Sequence, residues 1–237
     1  MPIQTSSLFV RSTSLSQGGR DLVASPVQKT SMIRDDSSPQ DLIPDVELMP
    51  LAFSALDSLE EQMSLPSNIG TFSIFATLLQ PKSVGSVRLA SSSPHDRPKV
   101  DFGILSDASD YAVARAAIRL SLKLGEKMKA AGFPILRNLA FPEERQQRDI
   151  NCGNNEEIDK FIRRRIRTTY HYSSTCRMGL EDDSKMPGVV DDELRVHGVT
   201  GLRVCDASVF PKILSAHLQA PTAMLAERCA DFILKGL

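Results

Sequence analysis

The run Tyr170-His-Tyr-Ser-Ser-Thr-Cys-Arg-Met-Gly179 sets a histidine among small hydroxyl residues, just past the end of a helical pattern. A second histidine lies in Ile213-Leu-Ser-Ala-His-Leu-Gln-Ala-Pro-Thr222, an uncharged loop of small residues that leads into a helix start. Small side chains let a backbone approach a ligand closely, and a helix N-terminus favours a negatively charged partner. Imidazoles titrate near neutrality, so His171 and His217 have the chemistry of a general base and its hydrogen-bonding companion. Spacing alone leaves the bland alternative open, that both are satisfied loop histidines. His95, beside Pro94 and Asp96 in a Ser-rich loop, and His197, at the end of an extended piece, read as structural.

Working outward, short extended pieces are expected at Val189-Val190, Leu194–Val199 and Leu202–Cys205, each bounded by Gly. Pro221 opens a final helix with Leu225, Cys229, Phe232 and Ile233 inward, and Lys235-Gly236 ends it. The longest helix falls over 108–131. Asp107 or Ser109 caps it, Gly132-Phe133-Pro134 stops it, and Ala114, Ala117, Ile118, Ser121, Leu124, Gly125 and Met128 form its stripe. Another helix starts at Asn154 or Asn155 with Ile158, Phe161, Ile162 and Ile166 inward; Arg163-Arg164-Arg165 in its last turns suit the helix dipole. Thr71 to Leu79, the turn cluster Pro81-Lys82-Ser83-Val84-Gly85, and Val87 with Leu89 read as a β-hairpin. Val100-Asp101-Phe102 is a further short strand. Strands grouped with helices, without a βαβ rhythm, predict an α+β fold.

The 237 residues are 41% hydrophobic and 24% charged, a globular composition. Nucleic acid is excluded as a partner by the net charge of −1, which provides no basic surplus. No apolar run reaches the ~20 residues of a membrane span. The first residues lack the continuous apolar stretch of a secretory signal, which makes the cytoplasm the default compartment. Residues 1–43 hold nine Ser and a single aromatic, Phe9, and are expected to be disordered or poorly packed. Cys152, Cys176, Cys205 and Cys229 make no CxxC pair, so buried thiols are expected and metal ligands are not.

From about Pro44 to Leu237 the chain resembles the C-terminal part of the glucose–methanol–choline (GMC) oxidoreductases, FAD-dependent enzymes that oxidise alcohols. The most specific segments are His171-Tyr-Ser-Ser-Thr-Cys-Arg-Met-Gly179, Pro187-Gly-Val-Val-Asp-Asp-Glu-Leu-Arg-Val-His-Gly-Val199, Gly201-Leu-Arg-Val-Cys-Asp-Ala-Ser-Val-Phe-Pro211 and His217-Leu-Gln-Ala-Pro-Thr-Ala-Met-Leu-Ala-Glu227. Upstream, Leu79-Gln-Pro-Lys-Ser-Val-Gly-Ser-Val-Arg-Leu89 and Asp101-Phe-Gly-Ile-Leu-Ser-Asp107 match in the same order. The resemblance implies an antiparallel-sheet substrate domain with helices on one face over 44–170. It also implies a returning segment over 171–237 that completes the active site and the FAD domain. His171 falls on the family's catalytic base, which takes the hydroxyl proton while the carbinol carbon passes hydride to the flavin. His217 falls on the companion that holds the oxygen. Tyr170, His171, Asp206, Ala207, Leu218 and Gln219 fall on flavin-contact positions.

Two departures stand out. Ser174 occupies a position usually held by glycine. None of the thirteen glycines forms the Gly-x-Gly-x-x-Gly that cradles the FAD pyrophosphate in a Rossmann unit. The expectation is therefore a truncated or C-terminal chain of an FAD-dependent alcohol oxidoreductase with the Rossmann half absent. A flavin-free, non-catalytic paralogue or binding module is the alternative, and a Rossmann-half chain acting in trans is a third.

Overall fold

The structure is a computed structural model that describes residues 7–13, 43–52, 63, 70–135, 138–141, 144–151 and 153–236. It divides into two compact units, one of residues 1–82 and 107–167, the other of 83–106 and 168–237. The fold is α+β, as expected.

In the first unit, strands β1 (Leu8–Val10), β2 (Val46–Leu51) and β3 (Ser73–Leu78) form an antiparallel sheet in that order. Leu8 pairs with Leu48, and Val46 with Leu78. Thus part of 1–43 is an ordered edge strand rather than poorly packed chain; residues 14–42 lie outside the described residues. Pro50 sits in β2 beyond the described pairing with β1, so that none of the described residues on that side asks it for an N–H. Val46 and Leu48 are fully buried and pack with Ala117 of helix α1 (Ser109–Ala130), joined by Val10, Ile74 and Ala76. Period-two alternation puts Glu47, also buried, on the opposite face of the sheet.

Helix α1 begins where the sequence places it. The Asp107 carboxylate accepts the Ser109 N–H (2.8 Å) and hydroxyl (2.6 Å), and these bonds hold its pKa below the usual carboxylate value. Asp110 is buried and accepts the Lys82 N–H at 2.9 Å. Gly132, at φ +93°, reverses the chain after the helix. Helix α2 (Glu144–Asn151) was not legible: its one apolar residue, the buried Ile150, sets no period. Helix α3 (Glu156–Arg165) follows, with the Asn154 side chain accepting the Glu156 N–H at 2.8 Å. Ile158 and Ile162 are its buried face, and Phe161 meets Phe141 at 4.8 Å. The three arginines are in its last turn. Arg115 of α1 clasps Asp159 of α3 through two bonds of 2.7 Å.

The expected 71–89 hairpin does not form. β3 pairs with β2, whereas β4 (Ser86–Arg88) pairs antiparallel with β5 (Lys99–Asp101) in the second unit. Glycines at the base of β4–β5 explain the choice. A Cβ on Gly85 would stand 2.2 Å from the Asp101 carbonyl oxygen, and one on Gly103 2.3 Å from that of Val84. Only bare backbones pass this closely, and they commit the chain to the local pairing. The rest of the unit is irregular chain and the terminal helix α4 (Gln219–Lys235) around Val190, Leu194, Val209, Phe210, Leu218, Leu225 and Cys229. Its extended pieces touch through single bridges, Val190 with Met178 and Val196, and Arg195 with Arg203. Helix α4 starts two residues before Pro221, and Ile233, expected inward, is 46% exposed.

The Arg115–Asp159 pair yields a pH-dependent expectation. The guanidinium bonds hold the Asp159 carboxyl below its usual range, with burial opposing. A lowered folded pKa adds stability that is complete above the unfolded value of about 3.9 and is lost as pH falls through the folded one. Asp159→Asn is expected to lower unfolding free energy at pH 7 by about 1–2 kcal/mol. The gap from wild type should narrow as pH falls below the unfolded value and close once it has passed the lower, folded one. Urea midpoints measured across that range check it, and equal midpoints at pH 7 would refute it.

Candidate active site

The chain leaving α3 carries two left-handed residues. Tyr170, at φ +63°, gives its N–H to the Thr168 hydroxyl at 2.9 Å. Ser174, at φ +68°, gives its N–H to the Ala207 carbonyl at 3.3 Å. Together they bracket His171 in a bent loop. This is why glycine suits position 174: the backbone there is one that L residues adopt at a cost of about 1–2 kcal/mol. Past Ser174 the strand runs beside the 3₁₀ turn Ala207–Val209, with Cys176 N–H on Ser208 O and Met178 N–H on Val209 O, both at 2.9 Å. Asp206 caps that turn by accepting the Ser208 N–H at 2.8 Å.

From Phe210 the chain crosses to the loop that bears His217. Leu218, the next residue, is buried, and its carbonyl accepts both the Thr222 N–H (2.9 Å) and hydroxyl (2.7 Å). His217 is thereby pinned at the mouth of α4. The result is a direct meeting of the two histidines. His171 Nε2 lies 3.0 Å from His217 Nδ1, with ring planes at 83°. Such a bond needs one N–H and one lone pair, so at most one of the rings is an imidazolium while it persists.

Every residue singled out for this site lies in the second unit. The structure joins His171 directly to His217 and ties the His171 loop to Ala207. Asp206 and Gln219 are exposed, Ala207 is half-buried, and the Tyr170 ring is 77% exposed. The Asp206 side chain is engaged in its cap. His197 bonds the Gly179 carbonyl through Nε2 at 2.9 Å and braces the 179–197 loop, while His95 sits in an exposed turn. Sequence reasoning missed an aromatic cluster: Tyr172 stacks on Phe102 at 5.5 Å and meets Tyr170 edge-on at 6.4 Å. An aromatic content of 5% averages over the chain and conceals such local gathering.

Cys176, Cys205 and Cys229 are free thiols. Burial, then hydrogen bonding with Cys229, pushes Cys205 up to about 11, too high for a nucleophile at neutral pH. Among the described residues no group of three or more His, Cys, Asp or Glu is placed to hold a metal ion, and no helix is long and apolar enough to cross a membrane.

Residues 81–226 match the C-terminal model of the GMC oxidoreductases. The chain is 40% identical over 155 residues to a protein named oxygen-dependent choline dehydrogenase from Vibrio vulnificus (strain YJ016), covering 65% of this chain and 26% of the relative. An FAD-dependent oxidoreductase from Chaetomium thermophilum aligns with a TM-score of 0.60 and 30% identity over 74% of this chain and 30% of its own. Pyridoxine 4-oxidase from Mesorbium loti aligns with a TM-score of 0.58 and 25% identity over 79% of this chain and 34% of its own. Motifs and matched region together fix the family of this chain. It belongs to the GMC oxidoreductase family, and it spans about a quarter of the length of the curated relatives it matches.

The left-handed backbone at Ser174 gives a second expectation. Ser174→Gly should leave stability unchanged or raise it, because relief of strain offsets the extra freedom of the unfolded chain. Ser174→Val should lower it, because a β-branched residue fits the left-handed region worse than serine does. Thermal midpoints rank the three, and a valine variant as stable as wild type would contradict the strained-loop reading.

Proposed function

We propose that this chain supplies the proton-handling side of an FAD-dependent oxidoreductase acting on CH–OH groups of alcohols. The observation that carries the reading is the His171–His217 pair, two imidazoles 3.0 Å apart in a family whose members are flavin oxidoreductases. In this reading residues 44–170 serve as the substrate-binding domain, and 171–237 complete the active site.

The residues at the pair suit a flavin ring. Helix α4 starts without a side-chain cap, so its first N–H groups can face a carbonyl or an anion. The Ser215 hydroxyl in the same loop is buried without a hydrogen-bond partner. Tyr170, Asp206, Ala207, Leu218 and Gln219 would hold the ring's edge and face. When bound, the flavin supplies the acceptor for the hydride. His171 takes the proton of the substrate hydroxyl, and alkoxide character on that oxygen weakens the neighbouring C–H bond. His217 donates a hydrogen bond that keeps the oxygen in place as charge grows on it. For both rings to serve one oxygen, it must replace the bond they make to each other.

In the flavin-loaded enzyme that contains this chain, His171→Ala is expected to lower turnover by about 10²–10⁴. His217→Asn should be milder, because an amide still donates. Flavin content should be unchanged in both. Near-normal turnover of His171→Ala in steady-state assays would end the assignment.

A flavin-free binding module is the rival reading, favoured for the 237 residues by themselves by the lack of a Gly-x-Gly-x-x-Gly. The purified chain is accordingly expected to be colourless. A stable flavin absorbance near one per chain would show that it holds the cofactor without that motif.

A further inference from the structure

We propose that Cys205 and Cys229 are an oxidisable pair, two thiols placed to close into a disulfide that ties the 3₁₀ turn Ala207–Val209 to helix α4. The geometry of α4 comes first. Side chains of an α-helix lean toward its N-terminus, so Cys229 reaches back over the turn that holds Leu225. The Cys205 thiol lies at that same turn, donating to the Leu225 carbonyl at 3.6 Å. Both sulfurs therefore reach one spot on α4, and there the two thiols are hydrogen-bonded to each other. They share the cluster of Val209, Leu218 and Leu225, with Cys229 inside it and Cys205 packed against it. Both are free thiols, and a disulfide forms once the sulfurs close to about 2.05 Å.

The oxidant is a peroxide. Cys205, the less buried of the two, attacks as the thiolate and breaks the O–O bond. It becomes a sulfenic acid, and the first water leaves. The Cys229 sulfur then displaces the sulfenic oxygen as hydroxide, which takes the Cys229 proton and leaves as the second water. The protein gives up two electrons and two protons, and hydrogen peroxide becomes two waters. Burial and hydrogen bonding with Cys229 push Cys205 up to about 11, so about one chain in 10⁴ carries the thiolate at pH 7. Brief exposure is therefore ignored, and sustained oxidant closes the pair. The bond would join the two arms that place the histidines. Cys205 leads into the turn that accepts the N–H groups of Ser174, Cys176 and Met178, and α4 begins two residues past His217. None of this rests on the catalytic reading.

The test incubates the full 237-residue chain with hydrogen peroxide at pH 9, where the thiolate is about a hundredfold more abundant than at pH 7. The chain is then unfolded in iodoacetamide and digested with trypsin. Each cysteine falls in its own tryptic peptide, those of the pair being Val204–Lys212 and Cys229–Lys235. A single crosslinked species of these two is expected, lighter than their sum by two hydrogens and split by dithiothreitol. Amide hydrogen exchange at Cys176, at Met178 and in α4 should slow at least about tenfold in the linked chain. Cys205→Ser should abolish both changes, with Cys205→Ala in its place where a circular-dichroism melt shows the serine variant unfolding early. The wild-type peptide map decides the pairing by itself. Links scattered among all four cysteines, Cys205 carried on to a sulfinic acid while Cys229 stays a thiol, or unchanged exchange in the linked chain each overturn the proposal.

Discussion

Three backbone hydrogen bonds, from the N–H groups of Ser174, Cys176 and Met178 to the carbonyls of Ala207, Ser208 and Val209, hold the second unit's His171 segment in place. They run along a stretch with no regular sheet, whose other side is tied to Val189 and Val190. On one side they set where the His171 loop ends. On the other they set the 3₁₀ turn from which the chain proceeds to His217. Met178, at the end of this run, packs against the core to which Val190 and Val209 belong.

That core is small, and it is held by turns. The Asp191 carboxylate, despite some burial, is kept below its usual range by Arg195, whose side chain bonds it at 2.8 Å, and by the N–H groups of Arg195 and Glu193. This clasp forces Leu194 to φ +66° while its side chain is 1% exposed. A leucine in the left-handed region is unfavourable by itself. Its persistence follows from what it gains, since a fully buried leucine is worth about 1.5–3 kcal/mol. Strain and burial meet in one residue, and the turn chemistry decides that they do.

Legibility in the sequence followed the range of the interaction. Helix α1 was readable because its stripe through Ala114 and Ala117 and its Asp107 cap are local features. The β2–β3 pairing was not. It joins segments far apart in the chain, and Pro50 disguises β2 as something other than a strand. The turn after β3 looked like a hairpin because a Gly-bearing cluster sits there, yet Gly85 serves a close approach to Asp101 instead. Helix α2 stayed hidden for want of an apolar period. At the site, His171 and His217 were legible from their small-residue surroundings and from family resemblance. Their mutual bond was not, because it depends on how two loops 46 residues apart are pinned.

The two histidines and the strained residues around them belong to a single unit with its own buried cluster. The placing of the two imidazoles is set by the loops after α3 and before α4, pinned by backbone bonds at Ser174, Cys176 and Met178 and at the Leu218 carbonyl. Beside His171 in the chain, the half-exposed ring of Tyr172 stacks on Phe102 and the more exposed Tyr170 meets it edge-on. These side chains form a rim whose make-up can change while the backbone bonds at Ser174, Cys176 and Met178 stay as they are. Conserving the frame while changing the rim is how one fold serves many substrates.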